Sequence, residues 1–262
     1  MSWLLSNIDI ITSYTINKKE KIEFRKSGHG ALIDNIKRFK TDLVFIKTVD
    51  NIKPNDRESV DVQKAIGGLY LERFDQIKNL LEQLQSAVKT SVDESTVFIK
   101  NSFHIDLSSK LKGLDFEEQI QQLINFLNRP FRVCGMIINE GKPGGGPFWI
   151  EHNGETALQI VESSELQPSQ GVLHDALFFN PVNIVCGLKD FEGNSWELDR
   201  YKDSGRSIIS KKIQMGQPIK TFELPGLWNG CMGYWNSIFV EIPTATFRSL
   251  KTINDCLEQK KE

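Results

Sequence analysis

Asp50 is the first residue whose type and position suggest chemistry. It closes Leu43-Val44-Phe45-Ile46-Lys47-Thr48-Val49, whose short apolar run reads as a strand buried on both faces of a parallel or mixed sheet, at the centre of the protein. Open α/β sheets bind ligands in the crevice beyond the carboxyl ends of their strands. An Asp50 carboxylate there could hold a hard cation. The plainer alternative is that Asp50-Asn51 starts the turn before Pro54, which is the commoner use of an isolated Asp-Asn pair.

Other groups suit a polyanionic or sugar-like ligand. Ser27-Gly28-His29-Gly30 precedes a short helical stretch from Ala31 to Ile36. The amides of Gly28 and Gly30 could approach a base or phosphate without a side chain in the way, and His29 could donate a hydrogen bond. A glycine turn with a solvated histidine fits these residues equally well. Gly144, Gly145 and Gly146 stand between Pro143 and Pro147 and before Phe148-Trp149. Their bare backbone, Gly145 at its middle, suits contact with a flat or sugar-like ligand, or else a lid or an Ω-loop. The segment lacks the Lys-Ser/Thr ending and following helix of a Walker loop.

Glu162 follows Leu158-Gln159-Ile160-Val161, a strand that would present its carboxylate to sugar hydroxyls or to a helix cap. Asn180 and Asn183 interrupt the apolar run from Phe178 to Cys186 and need partners if buried, as connectors or as ligand contacts. Lys251 stands just before a helix start at Thr252 or Asn254, a favourable place for a phosphate-binding lysine, although most lysines are solvated. Trp228 and Trp235 read as core aromatics.

The elements that must position these groups follow from patterning. Ile8–Ile16 and Lys21–Arg25 read as strands around a polar turn. From Val60 to Val88, apolar residues recur every three or four positions, which predicts one or two amphipathic helices, with Gly67-Gly68 permitting close approach or a kink. A second helical stretch contains Phe116, Ile120, Leu123, Ile124 and Leu127 and stops before Asn128-Arg129-Pro130. Phe131–Ile138 and Ser237–Pro243 read as strands, and 187–222 as a polar surface region.

With 262 residues and 39% hydrophobic content, the chain can bury a sizeable core as one domain. Its 32 basic against 34 acidic residues, net charge −2, give no reason to expect nucleic acid or an anionic membrane surface. Four scattered cysteines predict reduced, mostly buried thiols. Trp3-Leu4-Leu5 is too short for a signal core, and no later apolar run approaches a membrane span, so the expected location is the cytoplasm.

Together the segments resemble the UDP-sugar pyrophosphorylases. Gly28-His29-Gly30, the Asp50-Asn51 strand end, Ile160-Val161-Glu162 and Phe179-Asn180-Pro181-Val182-Asn183 look like successive motifs of that family, and Phe247 to Leu257 resembles its closing Phe-x-x-x-Lys-Thr-x-x-Asp-x-Leu. Gly135-Met136 through Glu140-Gly141-Lys142-Pro143-Gly144-Gly145-Gly146-Pro147-Phe148-Trp149, and Leu224-Pro225-Gly226-Leu227-Trp228-Asn229-Gly230, are similar to markers of an uncharacterised bacterial domain-of-unknown-function family, a distant branch of the same superfamily.

The resemblance implies a GT-A-like, Rossmann-like α/β fold with a mixed central sheet flanked by helices. It implies transfer between a nucleoside triphosphate and a sugar 1-phosphate, giving an NDP-sugar and pyrophosphate, with Mg²⁺ held by Asp50. Lys251 would bind phosphates, Gly28, His29 and Gly30 the nucleotide, and Glu162, Asn180 and Gly145 the sugar. Relatives of that type begin with a strand and a glycine-rich triphosphate loop, which this sequence lacks before Ser27. The expectation is a C-terminal part, completed by a separate chain or cut from a longer one, or else a degenerate member that keeps the sugar side and has lost transfer; the missing first strand would expose a central sheet edge, which predicts a partner, a rearranged sheet or poor solubility in isolation. The alternative is a non-catalytic sugar- or nucleotide-binding module.

Overall fold

The computed structural model describes residues 13–16, 22–25, 28–47, 57–141, 145–152, 155–166, 176–179, 183–214 and 217–247. Asp50, Asn180, Lys251 and the helix expected after Lys251 lie outside the described residues.

The central sheet is mixed. Its order is β10 (Asn236–Glu241), β4 (Phe131–Met136), β7 (Asn183–Gly187) and β3 (Leu43–Lys47). β10 runs parallel to β4, and β7 is antiparallel to both β4 and β3. Every residue of β4 and β7 is buried, so these strands form the centre. The Leu43 strand exists but is not central. Among the described residues β3 has one neighbour, and Phe45 on it is 38% exposed. An apolar run is compatible with an edge strand, and nothing in it specifies how many neighbours it has.

Side-chain alternation divides the molecule into two layers. Phe131, Val133, Val185 and Ile238 face a cluster built on α2 (Arg57–Gln85), α3 (Ser91–Phe103), Leu111 of the short α4 (Ser108–Leu111) and α5 (Phe116–Leu127). α2 is one helix, and it contributes Ile66, Tyr70, Ile77, Leu80, Leu81 and Leu84 at helical spacing. Gly67 lets it approach the sheet, since a Cβ there would stand 3.0 Å from Phe45 Cζ. Farther along, Tyr70 stacks on Phe131 at 4.2 Å, and its hydroxyl fills the space a side chain at Gly187 would need. α5 starts at a capping box in which Asp115 accepts from the Glu118 N–H and Glu118 accepts from the Asp115 N–H.

The opposite face of the sheet presents Cys134, Met136, Ile184 and Cys186. Against it pack Ile33 and Ile36 of the short α1 (Leu32–Ile36), Ile160, Leu227, Met232 and Trp235. The mixed sheet is thus flanked by helices, as the resemblance implies, with α2, α3 and α5 on one face and the short α1 among strand and loop residues on the other.

Two regions differ from expectation. Within the stretch read as polar surface, β8 (Ile208–Gln214) and β9 (Gln217–Glu223) pair antiparallel. They join β1 (Ser13–Ile16) and β2 (Ile22–Arg25) in a second sheet, ordered β2-β1-β9-β8. Strand pairing there is carried by backbone hydrogen bonds, which lysine-rich sequence does not advertise. The loop expected through Trp149 also becomes regular sooner, because β5 (Gly146–His152) pairs with β6 (Glu155–Val161) in register Gly146 with Val161.

Candidate functional site

The site is built where three connections meet over the non-helical-cluster face of the sheet. They are the Gly28–Ala31 turn, the segment after β6, and the loop from Leu224 to Gly230 between β9 and β10. Gly28 has φ +75°, a backbone that favours glycine. Gly30 is buried, and a Cβ on it would fall 2.2 Å from the Pro225 carbonyl oxygen. The two glycines thus lay the turn directly on the Pro225 backbone. Gly226 has the matching role, because a Cβ there would meet Asn229 Oδ1 at 1.9 Å and His29 Cε1 at 2.5 Å.

His29 is consequently held on several sides. Its Nδ1 accepts the Leu227 backbone N–H at 2.7 Å. The Trp228 ring stacks on it at 4.3 Å with an interplanar angle of 14°. An accepting Nδ1 assigns the ring proton to Nε2, and Nε2 lies 3.0 Å from Glu162 Oε1. The approach is close without being in line, so Oε1 is left with no hydrogen-bond donor aligned on it. A neutral imidazole N–H and a carboxylate oxygen therefore face each other. Trp228 is not a pure core residue: it packs against the sheet cluster while stacking on His29. Trp235 is fully buried, as expected.

Glu162 is fixed by its own turn. Its backbone N–H donates to Glu165 Oε2 at 2.7 Å, and Glu165 is clamped by Arg206, Nε to Oε1 at 2.8 Å and Nη2 to Oε2 at 3.0 Å. Arg206 Nη2 also donates to the Ile160 carbonyl at 2.6 Å, which ties the end of β6 to the Ser204–Arg206 turn. Two-point guanidinium–carboxylate pairing fixes orientation as well as distance.

Behind Trp228 lies a second arginine that sequence reasoning missed. Arg132, on β4, is 0% exposed. It donates to Ser237 Oγ at 2.8 Å, to Gln159 Oε1 at 2.9 Å and to the Trp228 carbonyl oxygen. Burial, the largest influence, pulls this guanidinium below the ordinary arginine value, and Arg206 adds repulsion. Burial likewise pushes the Cys134 thiol up to about 11 and the Cys186 thiol up to about 12. Both are free, as is buried Cys231, so none of them offers a ready thiolate nucleophile.

The structure therefore brings Gly28, His29, Gly30 and Glu162 together. Gly145 is buried just ahead of β5; beside it the Cα of Gly146 faces the Phe178 carbonyl, where a Cβ would stand at 2.5 Å. Asn183 is buried with its amide nitrogen unpartnered among the described residues, and it is in register with Lys47 at the carboxyl end of β3. No cluster of three or more metal-ligating side chains occurs among the described residues. No described helix is long and apolar enough to cross a membrane.

Residues 7–262 match the sequence profile of DUF4301, a domain of unknown function. No functionally curated protein sequence matches the chain. Among solved structures it is similar to a point mutant of UDP-glucose pyrophosphorylase from Leishmania major in complex with UDP-glucose, at 15% identity over 55% of this chain and 33% of that one, TM-score 0.32. It is also similar to a UDP-glucose phosphorylase from Trypanosoma brucei, at 18% identity over 55% of this chain and 32% of that one, TM-score 0.34. The matched part thus spans about a third of the length of these structures.

Proposed function

The chain belongs to the DUF4301 family, and on that footing we propose that it carries the sugar and nucleotide side of a sugar-1-phosphate nucleotidyltransferase site. The observation that supports this reading most is the apposition of His29 and Glu162 at 3.0 Å, on segments far apart in the chain. A neutral N–H donor beside a carboxylate acceptor matches a ligand that offers both a carbonyl or phosphate oxygen and vicinal hydroxyls. In the proposed reaction an oxygen of the sugar 1-phosphate attacks the α-phosphorus of a nucleoside triphosphate. The bond from that phosphorus to the bridging oxygen breaks, and pyrophosphate leaves. Such a step depends on positioning and charge neutralisation, with little covalent work for the protein.

His29 and Gly28 would contact the nucleotide, and Glu162, with Asn180 and Gly145, the sugar. Lys251 would hold phosphate oxygens. Asp50 would hold Mg²⁺, which typically takes only one or two protein carboxylates together with substrate phosphates, so a single hard carboxylate suits it. When bound, Mg²⁺ would neutralise charge on the phosphates. The side of β3 that has no neighbouring strand among the described residues, with Phe45 exposed, is where a strand from a separate chain carrying the triphosphate loop would add.

The test is pyrophosphate release from a panel of nucleoside triphosphates and sugar 1-phosphates with Mg²⁺, using this chain and its Asp50→Ala variant, each with and without a supplied glycine-rich-loop partner. Turnover that is lost in Asp50→Ala supports the reading. Turnover unchanged in that variant would remove Asp50, and with it this mechanism. Binding of an NDP-sugar without turnover in any combination would favour the non-catalytic binding module.

A further inference from the structure

Side chains alternate along β4, so Arg132 shares a face with Cys134 and Met136, while Phe131 and Val133 turn to the helices. Arg132 therefore stands on the side of the sheet that carries the His29 and Glu162 site. It is 0% exposed, and its hydrogen-bond partners among the described residues are neutral: Ser237 Oγ, Gln159 Oε1, the Trp228 carbonyl and the Met232 thioether. A buried cation without a carboxylate is costly, and an apolar residue of similar volume often serves packing as well or better. Filling space does not account for this arginine.

Its hydrogen bonds reach both walls of the site. One wall is the Leu224–Gly230 loop, in which Leu227 donates to His29 Nδ1 and Trp228 stacks on the ring. The Trp228 indole N–H has no hydrogen-bond partner among the described residues, and neither has the Asn229 side-chain amide, although both groups are buried. The bond from Arg132 to the Trp228 carbonyl is thus the one side-chain hydrogen bond described for Trp228 and Asn229.

The other wall is β6, which leads into Glu162. Arg132 Nη2 donates to Gln159 on this strand at 2.9 Å, and Gln159 Nε2 donates in turn to the Trp235 carbonyl at 3.0 Å. Arg206 and Glu165 fix the turn after β6, and Arg132 fixes the strand itself against the sheet. The third bond orients the guanidinium from within the sheet, because Ser237, which accepts from Nε at 2.8 Å, is in register with Arg132 on the neighbouring β10. With Nε held there, the planar fork sends Nη1 to the loop and Nη2 to β6.

We propose that Arg132 is a positioning residue, which sets the apposition of His29 and Glu162 by holding the Trp228 loop and β6 in fixed places against the central sheet. Its consequence for ligand binding rests on the reading of His29 and Glu162 as a sugar-nucleotide site. Its consequence for the geometry of the pair does not. Lysine is no substitute, since an ammonium on a flexible stem lacks the planar fork that reaches three segments at once.

The test is the nitrogen NMR spectrum of the imidazoles in the full, ligand-free chain at mildly alkaline pH, with the His29 signals assigned by their loss in His29→Gln. The wild type should show one tautomer, protonated at Nε2 and unprotonated at Nδ1. In Arg132→Met the separation of the two signals should fall by at least half as the tautomers mix. Gln159→Leu, which cuts the bonds to β6, should move Nε2, whereas Ser237→Ala, which leaves the bonds to both walls in place, should move neither nitrogen. In parallel calorimetric titrations, Arg132→Met and Arg132→Lys should each weaken UDP-glucose binding at least about tenfold. Unmoved signals in Arg132→Met, or in Gln159→Leu should Arg132→Met not fold, would overturn the proposal. So would undiminished UDP-glucose binding in the Arg132 variants, or a change in Ser237→Ala as large as that in Gln159→Leu, the mark of a merely structural hub. A wild type that binds no UDP-glucose counts against the proposed function alone, because the spectrum is read without ligand and still decides the role of Arg132.

Discussion

His29 Nε2 lies 3.0 Å from Glu162 Oε1, while Nδ1 of the same ring accepts the Leu227 N–H at 2.7 Å. One backbone hydrogen bond thus sets which nitrogen faces the carboxylate. The Leu224–Gly230 loop makes that bond, and Trp228 from the same loop presses on the ring. The loop is therefore a tautomer-setting clamp on His29, and the glycines on either side of the contact are what let the two backbones meet.

His29→Ala removes the acceptor from a part-buried N–H and the stacking partner from Trp228. Its expected cost is about 1–3 kcal/mol, the penalty of an unsatisfied buried donor. Urea unfolding measures it. Emission from Trp228 should also shift to longer wavelength, and an unchanged midpoint and spectrum would show that the clamp holds nothing.

Two glycine-to-alanine changes should move stability in opposite directions. At Gly30 the new Cβ would fall 2.2 Å from the Pro225 carbonyl oxygen, backbone that cannot easily retreat, and a loss of about 1–3 kcal/mol is expected. At Gly68, inside α2, a Cβ meets nothing within 4 Å, and alanine should stabilise by about 0.5–1 kcal/mol. Thermal melts of both variants against the wild type check the pair of signs.

Arg206→Ala strands Glu165, whose side chain is 9% exposed, and frees the turn that carries Glu162. Breaking a buried pair by deleting one partner typically costs about 3–5 kcal/mol, so a value near about 3 is expected here. A double-mutant cycle with Glu165→Gln should give strongly non-additive losses. Additive losses would mean that the two residues act separately.

Asp199 bridges Lys37, just past α1, and Lys202. Hydrogen bonds from Lys202 first, and Lys37 second, hold its carboxyl below the usual 3.8. A depressed carboxylate contributes stability above its unfolded value and loses it as pH falls through the folded one. Lys37 is raised correspondingly: burial acts against its charge, but the bonds to Asp199 and Asp34 outweigh it. The wild-type advantage over Asp199→Asn in melting temperature should be flat near neutrality and shrink below pH 3.8. An advantage independent of pH would contradict the bridge.

Much of this was legible in the sequence, and the failures have physical reasons. The end of α5 was legible because its stop is local, Arg129-Pro130 following it; its start is set just as locally, by Asp115 and Glu118 capping each other, but that signal was not read. His29 and Glu162 were each identified by type and surroundings. Their pairing was not, because it is made through a third segment whose role appears only when Leu227 reaches Nδ1. Arg132 stood in plain view as a charge between Phe131 and Val133, but its partners Gln159, Trp228 and Ser237 come from three later parts of the chain. β3 shows the limit most clearly, since its apolar run specified a strand and left open whether that strand sits at the centre or the edge of the sheet.

The most direct test of the proposed site is calorimetric titration of the chain with UDP-glucose in Mg²⁺, comparing wild type, Glu162→Gln and His29→Ala. The account predicts saturable binding by the wild type. Loss of a hydrogen bond to a charged group typically costs about 1.5–3 kcal/mol, so Glu162→Gln should weaken binding roughly 10- to 100-fold, and His29→Ala should weaken it as well. Equal affinity in all three proteins, or no binding by the wild type to UDP-glucose or to other NDP-sugars tested in the same way, would contradict it.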